Sequence, residues 1–240
     1  MRTAFGIALL LFSLAASATE PVKPLDDVDV DIFDTESVRR GAGYFSNYCM
    51  GCHSVKLIRY SRIGKDLCLD EDTMRREFMF GNVKIHDNLE TAMSKEYGEN
   101  AFGVAPPDLS LIVRARGADW VYSYLKGFYV DPKRPFGVNN LISPGVAMPN
   151  VLWALQGVQE PVIKKVGGED RVVDARLVKK GEMSPKEFDQ AVTDIVNFLA
   201  YVAEPSKLQR LPLGKYVLFF LVVLAVIMYR LKKEYWKDVH

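Results

Sequence analysis

Cys49-Met50-Gly51-Cys52-His53 holds two of the chain's three cysteines and one of its three histidines within five residues. The spacing Cys-x-x-Cys-His suits covalent attachment of haem. Two thiols add across the two vinyl groups, and the adjacent imidazole is placed to ligate the iron. Competing uses of the pattern are weaker. A zinc ribbon needs a second Cys or His pair, which Cys68, His86 and His240 do not form. A thioredoxin-like dithiol gives the histidine no role, and a structural disulfide rarely bridges two residues. One covalently bound haem c on Cys49 and Cys52, with His53 as an axial ligand, is therefore expected.

Upstream, Glu36 to Tyr48 reads as a helix feeding the motif, with Asp34 or Thr35 as cap and Val38, Ala42 and Phe45 on one face. Gly41 and Gly43 would allow another helix to approach closely. The second axial ligand is sought among methionine and histidine. Met50 lies inside the motif and cannot reach around. Met74, Met79 and Met93 fall in or near helical stretches (Asp70 to Phe80, Leu89 to Tyr97), where a core role is the default. Met148 lies far downstream, in Ser143-Pro144-Gly145-Val146-Ala147-Met148-Pro149-Asn150, where one glycine and two prolines favour a fixed loop. It is preferred, with His86 as the alternative.

The middle of the chain supplies pocket candidates. Ala105 to Arg116 begins with a rigid Pro106-Pro107 turn and continues as a helix with Asp108 as its expected cap. Pro107, Leu109 and Ile112 are candidates for the haem face. Arg116 suits a propionate in bidentate geometry, or is simply a surface arginine on a helix. Asp119 to Phe128 reads as a helix with Trp120, Tyr124 and Leu125 apolar. Val162 to Val173 reads as a hairpin about Gly167-Gly168. Ser184-Pro185-Lys186-Glu187 starts a last helix to Ala203, with Phe188, Val192, Ile195 and Leu199 as its buried stripe.

The ends are of another kind. Met1-Arg2-Thr3, an apolar run from Ala4 to Ala15 and Ala16-Ser17-Ala18 describe a secretory signal peptide over 1–18. Tyr216 to Tyr229 carries no charge, and with its flanks gives a transmembrane anchor over 211–231. The tail, 232–240, is basic; with Arg230 it places the C-terminus in the cytoplasm and the domain of residues 19–210 in the periplasm.

This division changes the meaning of the composition. The whole chain of 240 residues has 31 basic and 30 acidic residues, a formal +1, so nothing global points to nucleic acid. With 25% charged and 49% hydrophobic residues it is neither disordered nor a multi-pass membrane protein. Setting aside the six basic and two acidic residues of the ends leaves 25 against 28, about −3. Much of that charge sits in Asp26, Asp27, Asp29, Asp31, Asp34 and Glu36, either a solvated segment or a steering surface for a basic partner.

Tyr48 to Ser54, Ala105 to Ser110, Val113-Arg114-Ala115-Arg116-Gly117, Met148-Pro149 and Phe198 to Pro205 together resemble the cytochrome c1 family, over nearly the whole mature chain. The resemblance implies a mainly α, cytochrome c-like haem domain with irregular loops and a small β-hairpin, plus one C-terminal transmembrane helix. It further implies the haem subunit of a bacterial inner-membrane quinol–cytochrome c reductase (cytochrome bc1 complex). Such a subunit takes an electron from the Rieske iron–sulfur protein and passes it to cytochrome c, with cytochrome b as a further partner in a dimeric complex. It catalyses nothing alone. By the same resemblance His53 and Met148 are the axial ligands, Arg116 neighbours a propionate and Pro107 packs beside the ring. The disulfide of some family members has no counterpart, because Cys68 has no partner; a buried free thiol is its default. A membrane-anchored cytochrome c shuttle or an oxidase-linked cytochrome subunit is the alternative, and a haem sensor a remoter one.

Overall fold

Asp34 opens the first helix, accepting a hydrogen bond from the Ser37 amide at 3.0 Å; α1 spans Thr35–Tyr44. In a computed structural model of the chain, residues 23–238 are described, so the expected signal peptide (1–18) and His240 lie outside the described residues. α1 does not remain α-helical up to the motif. It passes into a π-helical turn, Phe45–Cys49, closed by the Met50 amide on the Phe45 carbonyl at 2.9 Å. Such turns shift side-chain phase locally, here at the first thiol.

After the motif come β1 (Val55–Arg59), α2 (Tyr60–Asp66), α3 (Glu71–Glu77), β2 (Asn88–Leu89) and α4 (Lys95–Phe102). Then follow α5 (Ile112–Arg116), α6 (Ala118–Lys126), β3 (Phe128–Val130) and β4 (Val138–Asn140). The described chain ends with α7 (Trp153–Gln156), β5 (Gly157–Val166), β6 (Glu169–Lys180), α8 (Pro185–Ala203) and α9 (Lys207–Tyr235). The strands form three antiparallel two-stranded sheets, β1–β2, β3–β4 and β5–β6. The result is mainly α with small sheets and one long C-terminal helix.

Several elements differ from the sequence reading. Leu89 to Tyr97 is not a helix: Leu89 pairs with Val55, and α4 starts only after Ser94 caps it by accepting from the Tyr97 amide. Helix α6 stops at Lys126, and Phe128 already pairs with Asn140. Asp108 caps nothing helical. Its carboxylate accepts from the Lys56 and Ser110 amides, 2.9 Å each, tying its loop to β1, while α5 starts only at Ile112. Cys68 is exposed, not buried, in the turn between α2 and α3 at φ +54°. The hairpin is longer than expected and turns at Gly167-Gly168 as read.

The core is built where α1 crosses α8. Helix α8 carries a capping box between Ser184 and Glu187, which satisfies two of its otherwise orphan amides. Its Phe188, Val192, Ile195 and Leu199 are buried, as are Val38, Ala42 and Phe45 of α1. Gly41 sits against the Asp194 carbonyl and Phe198, so the close approach is real there. Gly43 faces open space, and no helix approaches it.

A polar cluster lies inside this crossing. Asp194, 1% exposed, accepts from Ser37 Oγ at 2.6 Å, Arg40 Nε at 2.7 Å and Gln190 Nε2 at 2.9 Å. Asn197 donates to Ser37 Oγ at 2.7 Å and accepts from the Asp31 amide at 3.0 Å. The hydrogen bond to Asp194 raises the Arg40 pKa, against a smaller opposing effect of burial. Burying a carboxylate is tolerable only with donors like these. Asp194→Ala leaves Ser37 and its neighbours without their acceptor, and should cost about 3 kcal/mol of unfolding free energy. Denaturant titration of the detergent-solubilised chain measures it; a loss under about 1 kcal/mol would mean that the cluster contributes no more than an exposed ion pair.

The acidic segment runs as an extended strap tied to α6 and α8. Val28 and Ile32 face inward, while Asp27, Asp29 and Asp31 face solvent. The amides of Asp26, Val28 and Asp31 donate to Ser123, Asp119 and Asn197.

Helix α9 has 29 residues, with a mean hydropathy of 2.4 in its most apolar window and none of that window buried within the chain. At 1.5 Å per residue it rises about 43 Å, more than the ~30 Å hydrocarbon thickness. It contains the 211–231 segment and extends beyond it at both ends.

Candidate haem site

The π-helical turn, the α5–α6 region, the 143–151 loop and one face of α8 enclose an apolar cavity of about 280 Å³. Cys49, Cys52 and His53 line it from the motif, and Met148 lines it from the loop. Two thiols, an imidazole and a thioether thus share one apolar chamber. His86 is exposed and absent from the lining. Met50 is turned into the core, where Tyr60 OH donates to its sulfur at 3.5 Å. Met74 is buried in α3, and Met79 is buried just beyond it.

His53 is oriented by one hydrogen bond, Nδ1 to the Pro107 carbonyl at 2.8 Å. A carbonyl only accepts, so Nδ1 carries the proton and Nε2 keeps its lone pair. Burial lowers the His53 pKa, opposed by the Pro107 carbonyl and the Asp108 charge. Burial, the larger effect, favours the neutral imidazole, and the Nδ1–H bond to Pro107 leaves Nε2 available to a metal, the arrangement seen when an outer hydrogen bond orients a ligating histidine. Pro107 therefore does more than pack at the cavity wall. The Leu109 amide bonds the Ser54 carbonyl at 2.8 Å, fixing this loop beside the motif.

Burial pushes the Cys49 thiol up to about 12, with the neighbouring Cys52 adding a smaller effect in the same direction; Cys52 is also raised by burial. The upward shifts favour neutral thiols over thiolates, which suits neither redox exchange nor zinc. No group of three or more His, Cys, Asp or Glu side chains gathers as a metal site among the described residues.

The opposite wall brings together residues whose apolar character was legible but whose role was not. Tyr124 OH donates to Met148 Sδ at 3.4 Å, and the Tyr124 ring stacks on Trp120 at 4.9 Å between centroids. Burial holds the Tyr124 pKa above the usual phenol range, so the hydroxyl is a donor at any ordinary pH. Ile195 and Leu199 of α8 complete the wall; on the sequence they read as packing alone. Pro107, Leu109 and Ile112 line the cavity as expected. Arg116 does not line it. It is exposed, with its guanidinium 5.2 Å from the Trp120 ring centroid, outside the aromatic wall.

The residues fit a covalently held haem: a chamber with almost no competing polar groups, paired thiols, an imidazole with a free Nε2, and a thioether from a separate loop.

Comparison with known proteins agrees with this geometry. The model of the "Cytochrome C1 family" matches residues 27–239. Cytochrome c1 of Allochromatium vinosum is 48% identical over 97% of this chain and 96% of its own length. A Nitrosomonas europaea protein described as "Ammonia monooxygenase gamma subunit" is 42% identical over 98% and 97%. The mitochondrial cytochrome c1 of Schizosaccharomyces pombe is 30% identical over 86% of this chain and 68% of its own length. With a family match over most of its length and a cavity that suits the family's prosthetic group, the chain belongs to the cytochrome c1 family.

Proposed function

We propose that the chain is the electron-conducting haem subunit of a bacterial quinol–cytochrome c reductase, with one haem c on Cys49 and Cys52 and with His53 and Met148 as axial ligands. The observation that carries this is the shared apolar cavity, with His53 and Met148 on separate walls. When bound, the haem supplies reversible one-electron chemistry at iron. The protein's part is to hold, orient and exclude. Cys49 and Cys52 tether, the Pro107 carbonyl orients His53, and Tyr124 orients the Met148 sulfur by its hydroxyl. Trp120, Leu125, Ile195 and Leu199 give the chamber its apolar wall. Thioether ligation and an apolar surround both raise the reduction potential relative to bis-histidine ligation in water.

With His53 and Met148 both holding the iron, the bound haem would conduct electrons, and the chain would catalyse nothing by itself. Arg116, exposed beside the aromatic wall, is the candidate partner for a propionate. The donor is the Rieske iron–sulfur protein and the acceptor a cytochrome c, in a dimeric complex with cytochrome b. The acidic strap, with Asp27, Asp29 and Asp31 facing solvent, suits a cationic acceptor. The basic tail keeps the C-terminus cytoplasmic and the haem domain, 19–210, periplasmic; the mature chain then starts after a cleaved 1–18. Purification from membranes in mild detergent tests the assembly. Cytochrome b and Rieske subunits should co-purify, and copurification with a monooxygenase instead would favour the assignment carried by the Nitrosomonas relative's name.

The anchor has its own test. Glu204 ends α8, and Pro205 separates it from α9. Truncation after Pro205 should release a haem domain that stays soluble without detergent. A truncated protein that still needs detergent would contradict the single-anchor topology.

A further inference from the structure

Gly145, three residues before Met148, is gripped by side chains at both of its backbone polar groups. Its N–H donates to Asn139 Oδ1 at 2.8 Å, and its carbonyl accepts from Arg134 Nη2 at 2.7 Å. Gly145 has φ +83°, and a Cβ there would stand 3.7 Å from Arg134 Nη2. The glycine thus supplies a left-handed backbone unfavourable for other residues. Both grips come from one place, the segment from Arg134 to Asn139 that joins β3 to β4 and forms the start of β4.

The Asn139 grip is itself held. Asn139 Nδ2 donates to Asp131 Oδ2 at 3.0 Å, which turns the amide oxygen toward Gly145. The Arg134 Nε is buried and has no hydrogen-bond partner among the described residues, so the Gly145 carbonyl is the one acceptor seen for this guanidinium. Next in sequence, Asn140 accepts from the Ile142 and Ser143 amides at 2.8 and 3.2 Å, and donates to the Tyr124 carbonyl at 2.8 Å. The 143–150 loop has no regular structure of its own, so these side chains define where it runs. They also link it to α6, whose Tyr124 hydroxyl meets the Met148 sulfur.

We propose that Arg134 and Asn139 are positioning residues that clasp Gly145 and thereby hold Met148 in the cavity. In this role they set how strongly the protein excludes outside ligands from the iron. The proposal rests on the reading of Met148 as an axial ligand. An outside ligand competes only in the fraction of molecules whose loop has swung away, so its apparent affinity scales with that fraction. Losing either hydrogen bond at the clasp, the charge-assisted one from Arg134 or the neutral one to Asn139, should raise that fraction about tenfold.

The test is an imidazole titration of the oxidised, haem-loaded full chain in detergent, followed by absorption. Wild type, Arg134→Met, Asn139→Ala, Arg134→Lys and Met148→Leu are compared. Arg134→Met and Asn139→Ala should retain covalent haem, weaken the sulfur-to-iron band and bind imidazole about tenfold more tightly than wild type. Arg134→Lys, which restores a charged donor, should recover part of the difference. A purely structural role would lower the unfolding midpoint and leave imidazole affinity unchanged, and that result overturns the clasp. If Asn139→Ala does not accumulate, Arg134→Met decides alone. Met148→Leu separates the two claims. If it keeps the band, the axial assignment fails and the clasp with it. If it loses the band while the clasp variants bind imidazole like wild type, the clasp alone fails.

Discussion

Met148→Leu should abolish the sulfur-to-iron absorption band and lower the reduction potential by on the order of 0.2 V, a fraction of the ≈ 0.8 V that axial ligation spans. Leucine nearly matches methionine in volume, so packing should change by less than about 1.5 kcal/mol. The loss is therefore read at the iron and not through unfolding. What disappears is a thioether in the lining and the acceptor of the Tyr124 hydroxyl. His86 cannot substitute without a large rearrangement, because it is exposed and outside the lining. A redox titration with optical detection measures both quantities together. An unchanged band and potential would remove Met148 from the coordination sphere.

The second large effect lies in α1, where one substitution made two residues apart should have opposite signs. In Gly41→Ala the added methyl would stand inside the van der Waals envelope of the Asp194 carbonyl and 2.9 Å from Phe198 Cβ. Backbone cannot yield as a flexible side chain does, so α1 and α8 must part, at a cost of about 3 kcal/mol. That parting would also disturb Asp194 and its donors. Because α1 runs directly into Phe45–Cys49, the displacement reaches the first thiol, and haem incorporation should fall. In Gly43→Ala the methyl enters open space, and replacing glycine inside a helix should stabilise by about 0.5–1 kcal/mol. Denaturant midpoints of the two variants check the pair. Equal midpoints would show that the α1–α8 contact is looser than described.

Where the sequence could be read, short-range chemistry was the reason. Cys49, Cys52 and His53 declare themselves because the proposed covalent haem attachment would fix their spacing. Ser184-Pro185-Lys186-Glu187 is equally legible, since a capping box is a local device, and it forms as read. The anchor follows from length and hydropathy alone. Met148 was singled out by the proline and glycine around it, and the structure puts its side chain in the same cavity as the motif.

The illegible features depend on partners distant in sequence. Nothing local marks Asp194 as a buried carboxylate, because Ser37 and Arg40 lie more than 150 residues away. Nothing local tells Gly41 from Gly43. Asp108 has the composition of a helix cap, but a strand 52 residues upstream takes its carboxylate. Leu89 belongs to an apparently helical stretch until pairing with Val55 overrides it. Burial is the usual state of a free thiol, yet the turn holding Cys68, at φ +54°, leaves it exposed. Trp120 and Tyr124 show their helical spacing in the sequence; only the fold shows that they wall the cavity and meet Met148.

The central claim, one haem held covalently by Cys49 and Cys52, is tested most directly by the denatured mass of the chain purified from its native membrane. The mass should exceed that of the mature polypeptide by one haem. The excess should survive acid–acetone extraction and reside in a single proteolytic fragment containing Cys49 to His53. A mass equal to the bare polypeptide, or an excess on any other fragment, would contradict the account.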